Sequence, residues 1–226
     1  MTSVPTTASP KTVREQIESV LAMAELNNGI VPVVEAGDPV LRTVTEEFDG
    51  QVDDATLAQL AEVMHATMKW APGVGLAAPQ VGIALRMFVA EDPATVSPAV
   101  AEARERHGIP STVLLNSYYE GVGDEKVAFY EGCLSIPGYQ AVVSRHRTIA
   151  LRGTDLSGAP VDREVSGWEA RIVAHETDHL DGVLYTDKAE LRSLATTKQV
   201  MRWWNQPTAQ EAARALGFEL PASPIL

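Results

Sequence analysis

With 226 residues, 45% of them hydrophobic and 21% charged, the chain has the composition of a globular protein with one substantial core. Its net charge of −12 argues against independent nucleic-acid binding, which needs a basic face, and no apolar run approaches the roughly 20 residues that span a bilayer. A single cysteine, Cys133, excludes an intramolecular disulfide and fits a reducing compartment.

In chain order, residues 1–10 are rich in Thr, Ser and Pro and read as disordered; they lack the basic and then apolar pattern of a secretory leader, so a cytoplasmic location is expected. Val13, Ile17, Val20, Leu21 and Met23 recur at helical spacing over residues 11–26. A second amphipathic helix is predicted over 53–70, where Leu57, Leu60, Ala61, Met64 and Met68 form one face behind an Asp-rich start and His65 sits at a polar edge. Short strands are predicted at 85–90, 113–118, 140–143, 148–152 and 161–165, with turn signals between them. Residues 91–110, charged and Ala-rich, read as a surface insertion, and a short helical pattern at 209–216 marks the tail. The order predicts an α+β fold: short, mostly antiparallel strands packed around a central helix. The chain is expected to divide into an N-terminal extension at 1–30, a main folded unit at 31–190 and a C-terminal tail at 191–226.

That central helix carries the segment His175-Glu176-Thr177-Asp178-His179. Side chains four residues apart on an α-helix share a face, so both imidazoles reach one divalent cation, while Glu176 lies about 100° around the helix, placed to handle the proton of a water on that ion. Ser166 and Glu169 have the spacing of a capping box at its start, and Gly182 stands where a left-handed C-terminal cap belongs. Trp168 and Ile172 fall on the face of the two histidines and predict an apolar pocket beside the metal.

A catalytic site of this kind needs a third protein ligand and keeps a position open for water. The longer pattern H-E-x-x-H-x-x-G-x-x-H holds through Gly182 but meets Tyr185 at its last position, which disfavours a zinc endopeptidase. Glu190 is a weak alternative. Cys133, in the Gly-flanked segment Glu131-Gly132-Cys133-Leu134-Ser135, is the better candidate, and the small residues from Gly73 to Pro79 lead to a side-chain amide, Gln80, suited to an oxyanion.

Together the segments G-V-G-L-A-A-P-Q at 73–80, E-G-C-L-S at 131–135 and H-E-T-D-H at 175–179 resemble, in order and spacing, the three signature motifs of the peptide deformylases. The resemblance covers roughly residues 31–190 and implies an enzyme that removes the formyl group from the N-terminal methionine of newly made proteins. It implies that Cys133, His175 and His179 hold the metal, that Glu176 is the general base and proton donor, and that Gln80 and the backbone N–H of Leu134 stabilise the oxyanion. By the same likeness Gly75 pairs with the substrate backbone, and Val74, Phe129, Trp168 and Ile172 line the pocket for the methionine side chain. Glu131 and Arg145 match an ion pair that braces the cysteine segment, whereas Gln140 departs from the arginine found in several relatives. One thiolate and two imidazoles suit zinc, yet the resemblance implies Fe²⁺ as the native metal, with Zn²⁺, Ni²⁺ or Co²⁺ as substitutes. The partners it implies are formyl-methionyl nascent peptides and, transiently, the ribosome that presents them. A metal-stabilised binding module without chemistry is the remaining alternative, disfavoured because Glu176 and Gln80 are both present.

Overall fold

Helix formation begins where Thr12 and Glu15 close a reciprocal cap, each side chain accepting an amide of the other residue. The computed structural model describes residues 11–221, so the readings of residues 1–10 and of the last five residues lie outside the described residues. Helices α1 (Val13–Leu26) and α2 (Asp54–Trp70) bear out the first two helical patterns, the second capped by Asp53. There follow strands β1 (Gly75–Ala77) and β2 (Met87–Asp92), helix α3 (Pro98–Arg104), and strands β3 (Ile109–Gly121), β4 (Lys126–Cys133), β5 (Ile136–His146), β6 (Thr148–Thr154) and β7 (Pro160–Ser166). Helix α4 (Gly167–Leu180), strand β8 (Ala189–Thr196), and helices α5 (Thr197–Trp203) and α6 (Gln210–Leu216) follow among the described residues. The arrangement is the expected α+β one, every strand pair being antiparallel.

The strands form two sheets, one of five in the order β1-β2-β3-β6-β7 and one of three in the order β4-β5-β8. Strand β2 explains why its sequence is apolar without alternation. Met87 and Val89 face α1 and α2, while Phe88 and Ala90 face the core shared with α4, so both faces are buried. In the smaller sheet, period two turns Tyr130 and Val142 towards α5 and α6, and Phe129, Glu131, Val143 and Arg145 towards α4. Cys133 follows a bulge between Gly132 and Cys133 at the end of β4. No helix among the described residues is long and apolar enough to cross a membrane.

Two expectations change. Ser166 and Glu169 form no capping box: Ser166 ends β7 opposite Thr148, so its hydroxyl bonds the Thr148 hydroxyl at 2.9 Å, and Glu169 turns back to Arg163. Residues 91–110 are not wholly superficial, because Asp92 is buried and takes a two-point grip from Arg106 at 2.7 and 2.8 Å. The cysteine segment ends strand β4, and β8 runs through residue 190 to pair with β5. Gly182, with φ +71°, follows α4 as expected; a Cβ there would lie 2.8 Å from the Arg42 backbone.

Leu60, on α2, lies fully buried in the core that α1 and α2 share with the large sheet. Leu60→Ala is expected to lower the unfolding free energy by about 2–5 kcal/mol, measured by urea denaturation. A loss below about 0.5 kcal/mol would mean that this layer is not close-packed.

Candidate active site

Helix α4 is buried nearly all round, and this decides what its polar residues must do. Ala170, Ile172, Val173 and Ala174 pack against the five-stranded sheet. Arg171, His175 and Asp178 turn their polar atoms towards β4 and β5, and each of these buried groups needs a partner. Glu131 supplies most of them. Its carboxylate accepts two bonds from Arg145, at 2.7 and 3.0 Å, one from Arg171 and one from Nδ1 of His175 at 3.0 Å. Burial works to raise the Glu131 carboxyl, but the guanidinium groups of Arg145 and Arg171 outweigh it and hold the group well below the usual carboxylate range. Arg145 also reaches Asp178 at 2.8 Å, and Asp178 is further bonded by Tyr119 and Lys188.

This network sets the histidines. Because a carboxylate only accepts, Nδ1 of His175 donates to Glu131, which leaves Nε2 as the ring nitrogen that can meet a metal. The two imidazoles stand 5.1 Å apart between ring centres, and Cys133 Sγ lies 3.2 Å from Nε2 of His179. Ligand atoms of Cys133, His175 and His179 all lie within 4.8 Å of one another. One sulfur and two ring nitrogens, converging from a strand end and one helix turn and braced from behind by Glu131, fit a divalent cation of the zinc or iron type. Tyr185, where the longer pattern would place a histidine, stacks on His175 with ring centres 6.2 Å apart and donates its hydroxyl to Tyr139 O. Glu190 turns to the backbone of Arg192 and is not part of the cluster.

In front of the cluster lies a cleft of about 620 Å³. Gln80 is buried on its floor: its carbonyl accepts from Ala77 N at 2.8 Å, which turns the amide nitrogen towards Cys133 Sγ at 3.4 Å and Ser135 Oγ at 3.3 Å. Leu134, in the turn from β4 to β5, borders the opening. Glu176 projects beside the cluster, and a Cβ on Gly75 would lie 2.2 Å from its Oε1, so the carboxylate occupies room that only glycine leaves. Its Oε2 is buried without a partner among the described residues, and burial, partly countered by His175, pushes the carboxyl up to about 7. Val74, Trp168 and Ile172 line the cleft; Phe129 stands behind them, edge-on to Trp168 at 6.1 Å.

Residues 30–194 match the polypeptide deformylase family. The chain is 54% identical to peptide deformylase 1 of Streptomyces coelicolor over 92% of this chain and 93% of the relative. It is 51% identical to peptide deformylase 3 of Streptomyces avermitilis over 97% and 96% of the two chains. The chain belongs to the peptide deformylase family. Among solved structures, the peptide deformylase of Thermus thermophilus superposes with a TM-score of 0.60 at 33% identity, over 83% of this chain and 95% of that one. A peptide deformylase of Acinetobacter baumannii with Met-Ala-Ser bound gives 0.62 at 31% identity, over 70% and 98%.

Three residues of the site escaped the sequence reading. Arg171 stands four residues before His175 and Asp178 three after it, a helical spacing that placed both on the histidine face. Arg104, from α3, reaches the cleft across the tertiary fold and had no local signal.

Arg145 is buried against two carboxylates. Arg145→Met is expected to cost about 3–5 kcal/mol of stability and to weaken metal retention, read by thermal unfolding and by metal content after dialysis. Unchanged stability and metal content would show that Glu131 is held without it.

Proposed function

We propose that this protein removes the formyl group from the N-terminal methionine of newly synthesised chains, releasing formate and a free amine. The observation that carries this reading is a three-ligand metal cluster flanked by an unpartnered buried carboxylate and a fixed amide donor, in a chain of the deformylase family. A divalent ion held by Cys133, His175 and His179 would polarise the formyl carbonyl and bring the pKa of water down to about 7.

Each remaining step belongs to this chain's own groups. Strand β1 is an edge of the five-stranded sheet, so the backbone at Gly75 is available to pair with an extended substrate as one more strand. The methionine side chain then lies against Val74, Ile172 and Trp168, with Phe129 backing the indole. Glu176 accepts the proton of the attacking water and passes it to the amide nitrogen as that bond breaks. The Gln80 amide and the Leu134 N–H donate to the oxygen on which negative charge develops. Arg145 and Arg171 act at one remove, by fixing Glu131 and through it the tautomer of His175. Gln140 borders the same cleft near Thr197 and meets residues beyond the first. Family membership supports Fe²⁺ as the native metal, with Zn²⁺, Ni²⁺ or Co²⁺ able to replace it, and supports action on chains at the ribosome.

Protein purified without oxygen is expected to carry iron and to release formate from formyl-Met-Ala-Ser. Glu176→Ala is expected to keep its metal and lose about 10²–10⁴ in turnover. A variant with normal metal content whose turnover stays within a few-fold of the parent would remove Glu176 from proton transfer.

A further inference from the structure

The wall of the cleft along α4 runs from His175 through Ile172 to Trp168, and an arginine stands at its far end. Arg104 carries its guanidinium 5.1 Å from the centre of the Trp168 ring and 5.5 Å from that of Phe129. Its Nε donates to the Pro207 carbonyl at 3.2 Å. The arginines beside it are engaged, Arg106 by Asp92 and Arg171 by Glu131, but among the described residues Arg104 forms no ion pair. Burial, followed by repulsion from Arg106 and Arg171, brings its guanidinium down to about 10, so it stays charged at neutral pH. The indole N–H of Trp168 is buried without an acceptor among the described residues. This end of the cleft thus holds donors in excess of acceptors, which an all-apolar side chain does nothing to satisfy.

We propose that Arg104 is a specificity-determining residue that lets the cleft take a first residue bearing an acceptor oxygen, so that formyl-methionine sulfoxide is deformylated alongside formyl-methionine. The inference rests on the deformylase reading. A methionine side chain lying along Ile172 and Trp168 carries its sulfur towards Arg104, and oxidation adds to that sulfur a polar oxygen that accepts hydrogen bonds. A pocket without a donor would leave that oxygen unpaired and reject it. The guanidinium offers it terminal N–H groups that no acceptor among the described residues takes up, while the ring faces beside Arg104 hold the cation in place when the thioether is bound.

The test compares kcat/KM for formyl-Met-Ala-Ser and formyl-Met(O)-Ala-Ser, using metal-loaded protein with Arg104, Arg104→Met or Arg104→Lys. The parent is expected to process the sulfoxide within about tenfold of the thioether, and Arg104→Met to widen that ratio by about tenfold or more. Arg104→Lys, which keeps a cationic donor, is expected to fall between them. Competitive inhibition by the unformylated peptide Met(O)-Ala-Ser should weaken in the same proportion relative to Met-Ala-Ser, a change that a general loosening of the fold would not produce. Equal loss on both substrates in Arg104→Met, or rejection of the sulfoxide by the parent beyond about a hundredfold, would overturn the proposal. If the parent released no formate from the thioether substrate, the deformylase reading would fail, and the two inhibition constants would still decide the role of Arg104.

Discussion

The Glu131 carboxylate is the constraint on which the rest depends. It sits on β4, takes Arg145 from the neighbouring strand, and takes Arg171 and His175 from α4, so one buried anion ties the smaller sheet to the central helix. An isolated carboxylate in this position would protonate or open the structure to water, because taking a charge out of solvent costs several kcal/mol. Two guanidinium groups offset that cost, and both of its oxygens are occupied. The direction of His175 follows from the same bonds, and so does the availability of its second nitrogen.

Metal binding and folding are therefore coupled. Cys133 lies two residues beyond Glu131 on the same strand, so the force that holds Glu131 against α4 also brings the sulfur to the histidines. The opposite side of α4 is packed with Ala170, Val173 and Ala174 against the large sheet, which keeps the helix from rotating away. Gly75 and Glu176 meet across that second boundary: only a glycine leaves room for the close approach of the carboxylate, and it lies on the edge strand of the five-stranded sheet. The site lies where two sheets meet one helix, and no single segment could build it.

What was legible in the sequence follows the same physics. Helices α1 and α2 were readable because one face of each is apolar at helical spacing, and the metal ligands on α4 because residues four apart share a face. Strands β4 and β8 were not, and the reason is inverted burial. In β4 the charged Glu131 faces inwards, and in β8 Ser193 is buried, donating to the Glu190 carbonyl and accepting from Val142 N, while Leu191 and Leu194 face solvent. Alternation of apolar and polar residues misleads wherever polar groups are satisfied inside. The mistaken cap at Ser166 has a similar origin: a pattern four residues long does not reveal that a cross-strand hydroxyl competes for the same side chain. Arg104 arrives from a stretch that reads as surface and reaches the cleft only through the tertiary fold.

The account stands on Cys133 sharing one ion with His175 and His179. X-ray absorption at the metal edge of zinc-loaded protein reads that shell directly. It should show one sulfur at about 2.3 Å beside two nitrogens at about 2.0–2.1 Å, with one lighter ligand in the fourth position. A shell of nitrogen and oxygen alone, with no sulfur contribution, would contradict it.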